Sequence, residues 1–143
     1  MRIKKSNKFW KKAKLYIPGG NMIFSKRPEL MSPGNWPVYY KKTNGCEIED
    51  IDGNTYYDLS LMGVGTNILG YRNKTVDKKV IKVIKNGNIS TLNNLYELKL
   101  AKLLIQIHPW SQQAKFARTG GEANAIAIRI ARVATNNGKI AVC

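Results

Sequence analysis

At 143 residues with 43% hydrophobic content, the chain is long enough for one domain with a real core. No apolar run is long enough to span a bilayer and no apolar segment follows the basic N-terminus, so neither a membrane segment nor a secretory signal is expected and the expected compartment is the cytoplasm. The formal net charge of +15 invites an anionic partner, but it comes mostly from Lys in a chain rich in Lys, Asn and Ile, without the interleaved Arg and aromatics of a nucleic-acid reader, so no nucleic-acid site is expected.

Residues 6–15 read as a basic amphipathic helix with Phe9, Trp10, Ala13 and Tyr16 on one face, which docks on the protein's own body or on a subunit partner. Pro18-Gly19-Gly20 ends it, and Pro28, Pro33, Gly34 and Pro37 make residues 21–37 an extended loop. Three short strands follow at 38–42, 46–51 and 55–59, with Asn44-Gly45 and Asp52-Gly53-Asn54 as the turns of an antiparallel meander. Asp50, Asp52 and Asp58 stand among turn-forming residues and read as structural, not as metal ligands. Cys46 and Cys143 lie far apart in the sequence, so no disulfide framework and no metal site is expected.

A glycine-rich loop spans 61–70, and residues 73–86 read as a helix with Gly87 behind it. Ser90-Thr91 starts the next helix, which runs through Leu95 to Ile107 and stops at His108-Pro109. His108, the single histidine, reads as a C-terminal cap and Trp110 as packing. Residues 114–118 read as a strand, Thr119-Gly120-Gly121 as a turn, 122–135 as a helix ended by Gly138, and 139–143 as a further strand. Thr119 with Glu122 three residues on is a capping box. The helix behind it is so rich in Ala, Ile and Val that most of it should be buried. A strand, a glycine turn and a helix N-terminus together present free N–H groups and the positive end of the helix dipole to one spot, where an anion binds. By local pattern alone, a plain strand-turn-helix junction that binds nothing is equally open.

Thr119-Gly120-Gly121-Glu122-Ala123 resembles the Ser-Gly-Thr-Glu-Ala element of the class III aminotransferases, fold-type I enzymes that use pyridoxal phosphate (PLP), and in particular those similar to glutamate-1-semialdehyde aminomutase. Ile17-Pro18-Gly19-Gly20 resembles that group's Pro-Gly-Gly, residues 45–58 (GCEIEDIDGNTYYD) its Gly-x-x-x-x-Asp-x-Asp-Gly-x-x-Tyr-x-Asp element, residues 65–71 (GTNILGY) its Gly-Pro-x-Ile-Leu-Gly-His stretch, and Arg129-Ile130-Ala131-Arg132 its Arg-x-Ala-Arg. The elements keep the family's order and about its spacing over nearly the whole chain.

The resemblance implies an α/β fold: residues 1–59 as an N-terminal helix, loop and small antiparallel sheet, and 60–143 as the beginning of a PLP-binding large domain with a mostly parallel sheet. It implies that Thr119, Gly120 and Gly121 hold the PLP phosphate. It places the residue that meets the substrate carboxylate at Lys26, with Arg27 beside it, although a solvated basic loop is as open a reading there. Val64 falls where the aminomutase group carries a substrate-side tryptophan, and these two departures put the semialdehyde substrate in doubt. The implied activity moves an amino group on a small amino-aldehyde, keto or sugar-like substrate, in a homodimer. The Schiff-base lysine, the acid that pairs with the pyridine nitrogen and the ring-stacking aromatic all lie further along in that family. Residues 1–143 therefore resemble an N-terminal part and are expected to be inactive alone, with exposed apolar surface. The alternative is a small basic module that binds anions or nucleic acid and keeps only the opening of the fold.

Overall fold

The computed structural model describes residues 2–59 and 62–141. The chain divides into two compact units, Met1–Asn88 and Ile89–Cys143.

In the first unit, helix α1 spans Lys4–Tyr16 and ends at Ile17, whose backbone leaves the helical region ahead of Pro18. Its buried stripe is Ile3, Ser6 and Trp10, spaced three and four apart as one helix face requires. Phe9 is half exposed and meets Tyr39 edge to face at 6.4 Å, while Tyr16, expected on the docked face, is 74% exposed. The helix has no acid in its first turn. The carboxylate of Asp52 serves instead, accepting from the Lys5 and Ser6 amides, both at 2.8 Å. Further along, the Trp10 indole donates to Glu29 Oε1 at 2.9 Å.

Strands β1 (Tyr40–Asn44), β2 (Glu47–Asp50) and β3 (Thr55–Tyr57) form the antiparallel meander in sequence order, with Thr43 opposite Ile48 and Ile48 opposite Tyr56. β1 begins two residues later than expected because the Ser6 hydroxyl accepts from the Val38 and Tyr39 amides at 2.9 and 3.3 Å. At the meander's base Asp50 is 1% exposed. Its Oδ1 accepts from the Asp52 and Asn54 amides, and its Oδ2 from Asn54 Nδ2 and the Tyr56 hydroxyl, all within 2.9 Å. A buried carboxylate is tolerated only with this degree of satisfaction.

The same bonds give the unit a stability window in pH. Burial pushes the Asp50 carboxyl upward, but the hydrogen bonds from Asn54, Tyr56 and the Asp52 amide outweigh it and hold the group below 3.8. Burial, and then the bond to Asp50, raises the Tyr56 hydroxyl from 10.0 to about 12; burial and Asp58 raise Tyr71 equally. The Asp50 contribution is present above pH 3.8 and is lost as pH falls through its lower folded value. The tyrosine contribution is present below pH 10.0 and is lost as pH rises toward about 12. A plateau of stability falling at both ends, followed by urea midpoint against pH, is the expected result.

Gly19 and Gly20 have φ of +74° and +84°, and a Cβ on Gly20 would lie 2.4 Å from the Trp10 ring. Gly20→Ala is expected to cost at least about 2 kcal/mol, from overpacking and left-handed strain together; thermal denaturation of the variant measures it.

Helix α2 (Lys74–Lys85) is capped by Asn73, whose side chain accepts from the Thr75 and Val76 amides. In the second unit, α3 (Leu95–Ile107) starts at Asn94, not at Ser90-Thr91. The Ser90 hydroxyl closes a local turn on Leu92 at 3.0 Å, leaving Asn94 to cap the helix through the Tyr96 amide. His108 ends α3 as expected, and Trp110 stays 83% exposed with its ring 5.8 Å from that of His108. Helix α4 (Gly120–Thr135) ends at Asn136 in the left-handed region, two residues before Gly138, and Arg132 Nε donates to the Gly138 carbonyl at 3.0 Å.

Two expectations for this unit are corrected. Residues 114–118 and 139–141 form no strand, because a strand exists only through a ladder and no neighbouring strand is present among the described residues; residues 142 and 143 of the second expected strand lie outside the described ones. The apolar helix α4 has no buried residue: Ile130 is 57% and Val133 79% exposed, for want of a sheet to cover them. The expected exposed apolar surface is thus present on α4, and α3, and separately α2 in the first unit, each expose apolar side chains of their own.

Candidate functional site

The N-terminus of α4 is built by its own sequence. Thr119 is the N-cap, and its hydroxyl accepts from the Glu122 amide at 3.2 Å. Glu122 folds back as a capping box requires, but it reaches the Arg118 amide, one residue before the cap, at 2.8 Å. The Thr119 carbonyl takes the Ala123 amide. Among the described residues, no acceptor meets the Gly120 and Gly121 amides, the first two of the helix. Neither glycine is at positive φ, so the backbone does not require glycine at either position. What glycine provides is room: a Cβ on Gly120 would meet nothing within 4 Å, and one on Gly121 only the Thr119 hydroxyl at 3.9 Å. Two free donors, a helix dipole and an open approach suit a phosphate.

The first unit holds a cavity of about 800 Å³ whose wall includes Lys26, Trp36, Tyr39, Tyr56, Val64 and Tyr71. Lys26 and Val64, 38 positions apart in the sequence, thus border one space. Arg27 does not reach it. Its guanidinium lies 4.9 Å from the Phe24 ring and occupies the space beside Gly19, which a Cβ there would contest. Val64 stands at φ +64°, a conformation that β-branched residues rarely adopt. Asp50 and Asp58 also border the cavity, each accepting a tyrosine hydroxyl, from Tyr56 at 2.9 Å and from Tyr71 at 2.7 Å. With both phenols raised to about 12, they are hydrogen-bond donors and not bases at neutral pH. Tyr56 and Tyr71 as cavity residues are not marked in the sequence, since each meets an aspartate six and 13 positions away and no local pattern pairs them. Thr119, Gly120 and Gly121 lie in the second unit. Among the described residues no group of three or more His, Cys, Asp or Glu could hold a metal ion, and no helix is long and apolar enough to cross a membrane.

A sequence model of the class III aminotransferases matches residues 31–143. The chain is 35% identical over 142 residues to a 3-aminobutyryl-CoA aminotransferase of Cloacimonas acidaminovorans (strain Evry), covering 99% of this chain and 34% of that protein. It is 35% identical over 124 residues to a glutamate-1-semialdehyde 2,1-aminomutase of Hydrogenobaculum sp. (strain Y04AAS1), covering 87% and 28%. In three dimensions it is similar to an omega-transaminase from Sphaerobacter thermophilus, with a TM-score of 0.81 at 27% identity over 94% of this chain and 30% of that one. It is similar also to the FumI protein of Sphingopyxis sp. MTA144 in its PLP internal aldimine form, with a TM-score of 0.84 at 25% identity over 94% and 32%. These likenesses give the chain the α/β fold of the fold-type I transaminases. It spans about a third of the length of the relatives it matches.

Proposed function

The chain belongs to the class III aminotransferase family, and from that premise we propose that residues 1–143 supply the phosphate turn and part of the substrate wall of a PLP-dependent aminotransferase or aminomutase. The observation that carries this reading is the open start of α4, where Gly120 and Gly121 leave their amides free and unobstructed. When bound, PLP would supply the means of taking an amino group from a donor and returning it to a carbonyl. Thr119, Gly120 and Gly121 hold its phosphate through backbone N–H groups, helped by the Thr119 hydroxyl when it leaves its capping bond. Lys26 meets the anionic end of a small amino-aldehyde, keto or sugar-like substrate, as a point charge without the two-pronged grip of an arginine. Val64 leaves more space at the wall than an aromatic would, and Arg27, turned onto Phe24, stiffens the loop behind Lys26.

In this reading residues 1–59 are the small N-terminal part and 60–143 begin the cofactor domain. The working form is a cytoplasmic homodimer that covers the exposed apolar helix faces, and the Schiff-base lysine lies outside residues 1–143. None of the likenesses points to a small anion- or nucleic-acid-binding module.

The test compares the complete enzyme with residues 1–143, each incubated with PLP and then with amino donors. The complete enzyme should carry a visible cofactor band that a donor bleaches, and the 143-residue piece should show no such band and no turnover. A complete enzyme with no response to any amine would sink the reading; turnover by the piece would sink the part that places the lysine elsewhere.

A further inference from the structure

Residues 62–71 form a loop whose two ends meet on one carboxylate. Asp58 Oδ2 accepts from the Met62 amide at 3.0 Å and from the Tyr71 hydroxyl at 2.7 Å. The Tyr71 backbone exchanges both of its hydrogen bonds with Gly45, at 3.0 and 2.7 Å, so this end of the loop is also pinned to the first turn of the meander. Gly70, at φ +88°, lies against Gly45 so closely that a Cβ would stand 3.4 Å from its Cα and carbonyl oxygen. Inside the loop the Asn67 amide donates to the Met62 carbonyl at 3.1 Å, and the Thr66 hydroxyl to the Gly63 carbonyl at 2.8 Å. Met62 and Val64 have φ of +37° and +64°, conformations a non-glycine residue keeps only when its surroundings hold it there. Gly63, Val64, Thr66 and Asn67 form one side of the cavity that Lys26 also borders.

We propose that Asp58 is a positioning residue for the substrate cavity: by tying both ends of the 62–71 loop to one carboxylate, it fixes where Val64 stands in the wall that Lys26 also borders and so sets which substrates fit. The inference rests on the reading of that cavity as the substrate wall. Asp58 touches neither substrate nor cofactor in this role; it acts through the loop. One oxygen accepts both donors, so truncation to alanine frees both ends of the loop at once, whereas an asparagine with its amide oxygen turned to the same place keeps them.

The experiment uses the complete enzyme with Asp58→Ala and, as a milder change that removes one bond, Tyr71→Phe. Three quantities are read: the visible band of the bound cofactor, kcat and KM for a short and a long amino donor, and hydrogen exchange at the Met62 amide. The expected result is an unchanged cofactor band, faster exchange at Met62, and KM raised about tenfold by Asp58→Ala at a kcat reduced far less. Tyr71→Phe should follow in the same direction to a smaller extent, with the rise differing between the two donors. An unchanged KM with faster exchange would overturn the proposal, since the loop would then move without consequence for substrate. So would unchanged exchange at Met62. Loss of the cofactor band in step with KM would overturn it as well, by showing a general loss of fold. A parent enzyme that acts on no amine would instead remove the reading of the cavity itself, with the exchange result still reporting on the loop.

Discussion

Gly120→Val is expected to weaken PLP binding by the complete enzyme about 150-fold while leaving α4 in place. The position is helical with φ outside the left-handed region, and a Cβ there meets no atom of the chain within 4 Å, so the substitution costs the fold nothing by strain or overlap. Its branched side chain fills the space over the two free amides instead. Displacing the phosphate from them forfeits charge-assisted hydrogen bonds, about 3 kcal/mol, which is the 150-fold. Gly121→Thr should act in the opposite sense. It restores the hydroxyl that the family carries, with the Thr119 hydroxyl 3.9 Å from the new Cβ and no closer neighbour, and should tighten binding by about 1.5–3 kcal/mol. Titration of both variants with PLP, followed by cofactor absorbance, with far-ultraviolet circular dichroism to register α4, reads both effects. Parent-like affinity for Gly120→Val would make this turn a structural junction only.

The second large effect falls in the first unit. Asp50→Ala is expected to destabilise it by about 3–5 kcal/mol, the range for removing one partner from a buried charged cluster. The loss removes the shared acceptor of the Asp52 and Asn54 amides, the Asn54 side chain and the Tyr56 hydroxyl at a site that is 1% exposed. Asp50→Asn keeps the volume and one accepting oxygen and should cost roughly half as much. Urea unfolding followed by the fluorescence of buried Trp10, with Trp36 and Trp110 replaced by Phe, measures both. A change below about 1 kcal/mol for Asp50→Ala would mean that the cluster is wet and the meander is held by other contacts.

What could be read from the sequence divides by range. The meander, α2 and the capping box of Thr119 and Glu122 were legible because a turn dipeptide, an apolar period and a cap each act within a few residues. The end of α3 at His108 was legible for the same reason. Its beginning was misread because Ser90 and Asn94 are both good caps, and which of them wins depends on where the Ser90 hydroxyl turns. Contacts between distant segments left no local trace. Nothing near Lys5 or Ser6 announces that an aspartate in a hairpin turn will cap that helix. Nothing near Arg27 announces that Phe24 and Gly19 will hold it away from the cavity while Lys26 borders it. The strand at 114–118 failed on different grounds. A short bounded segment before a glycine turn is only a candidate for pairing, and pairing is a property of its neighbours.

The capping of α1 by Asp52 has a consequence in time. The Ser6 amide and the carboxylate that receives it are 46 positions apart, so on the ribosome the helix is made well before its cap. At translation rates of ~5–20 residues per second, the wait is roughly 2–9 s. Over that interval a 13-residue segment, near the lower limit for a lone helix in water, has neither its N-terminal acceptor nor the Glu29 partner of Trp10 in place from the start. The first helix in sequence therefore waits for the hairpin turn at Asp52 before it gains its cap, and it settles together with the meander and not ahead of it.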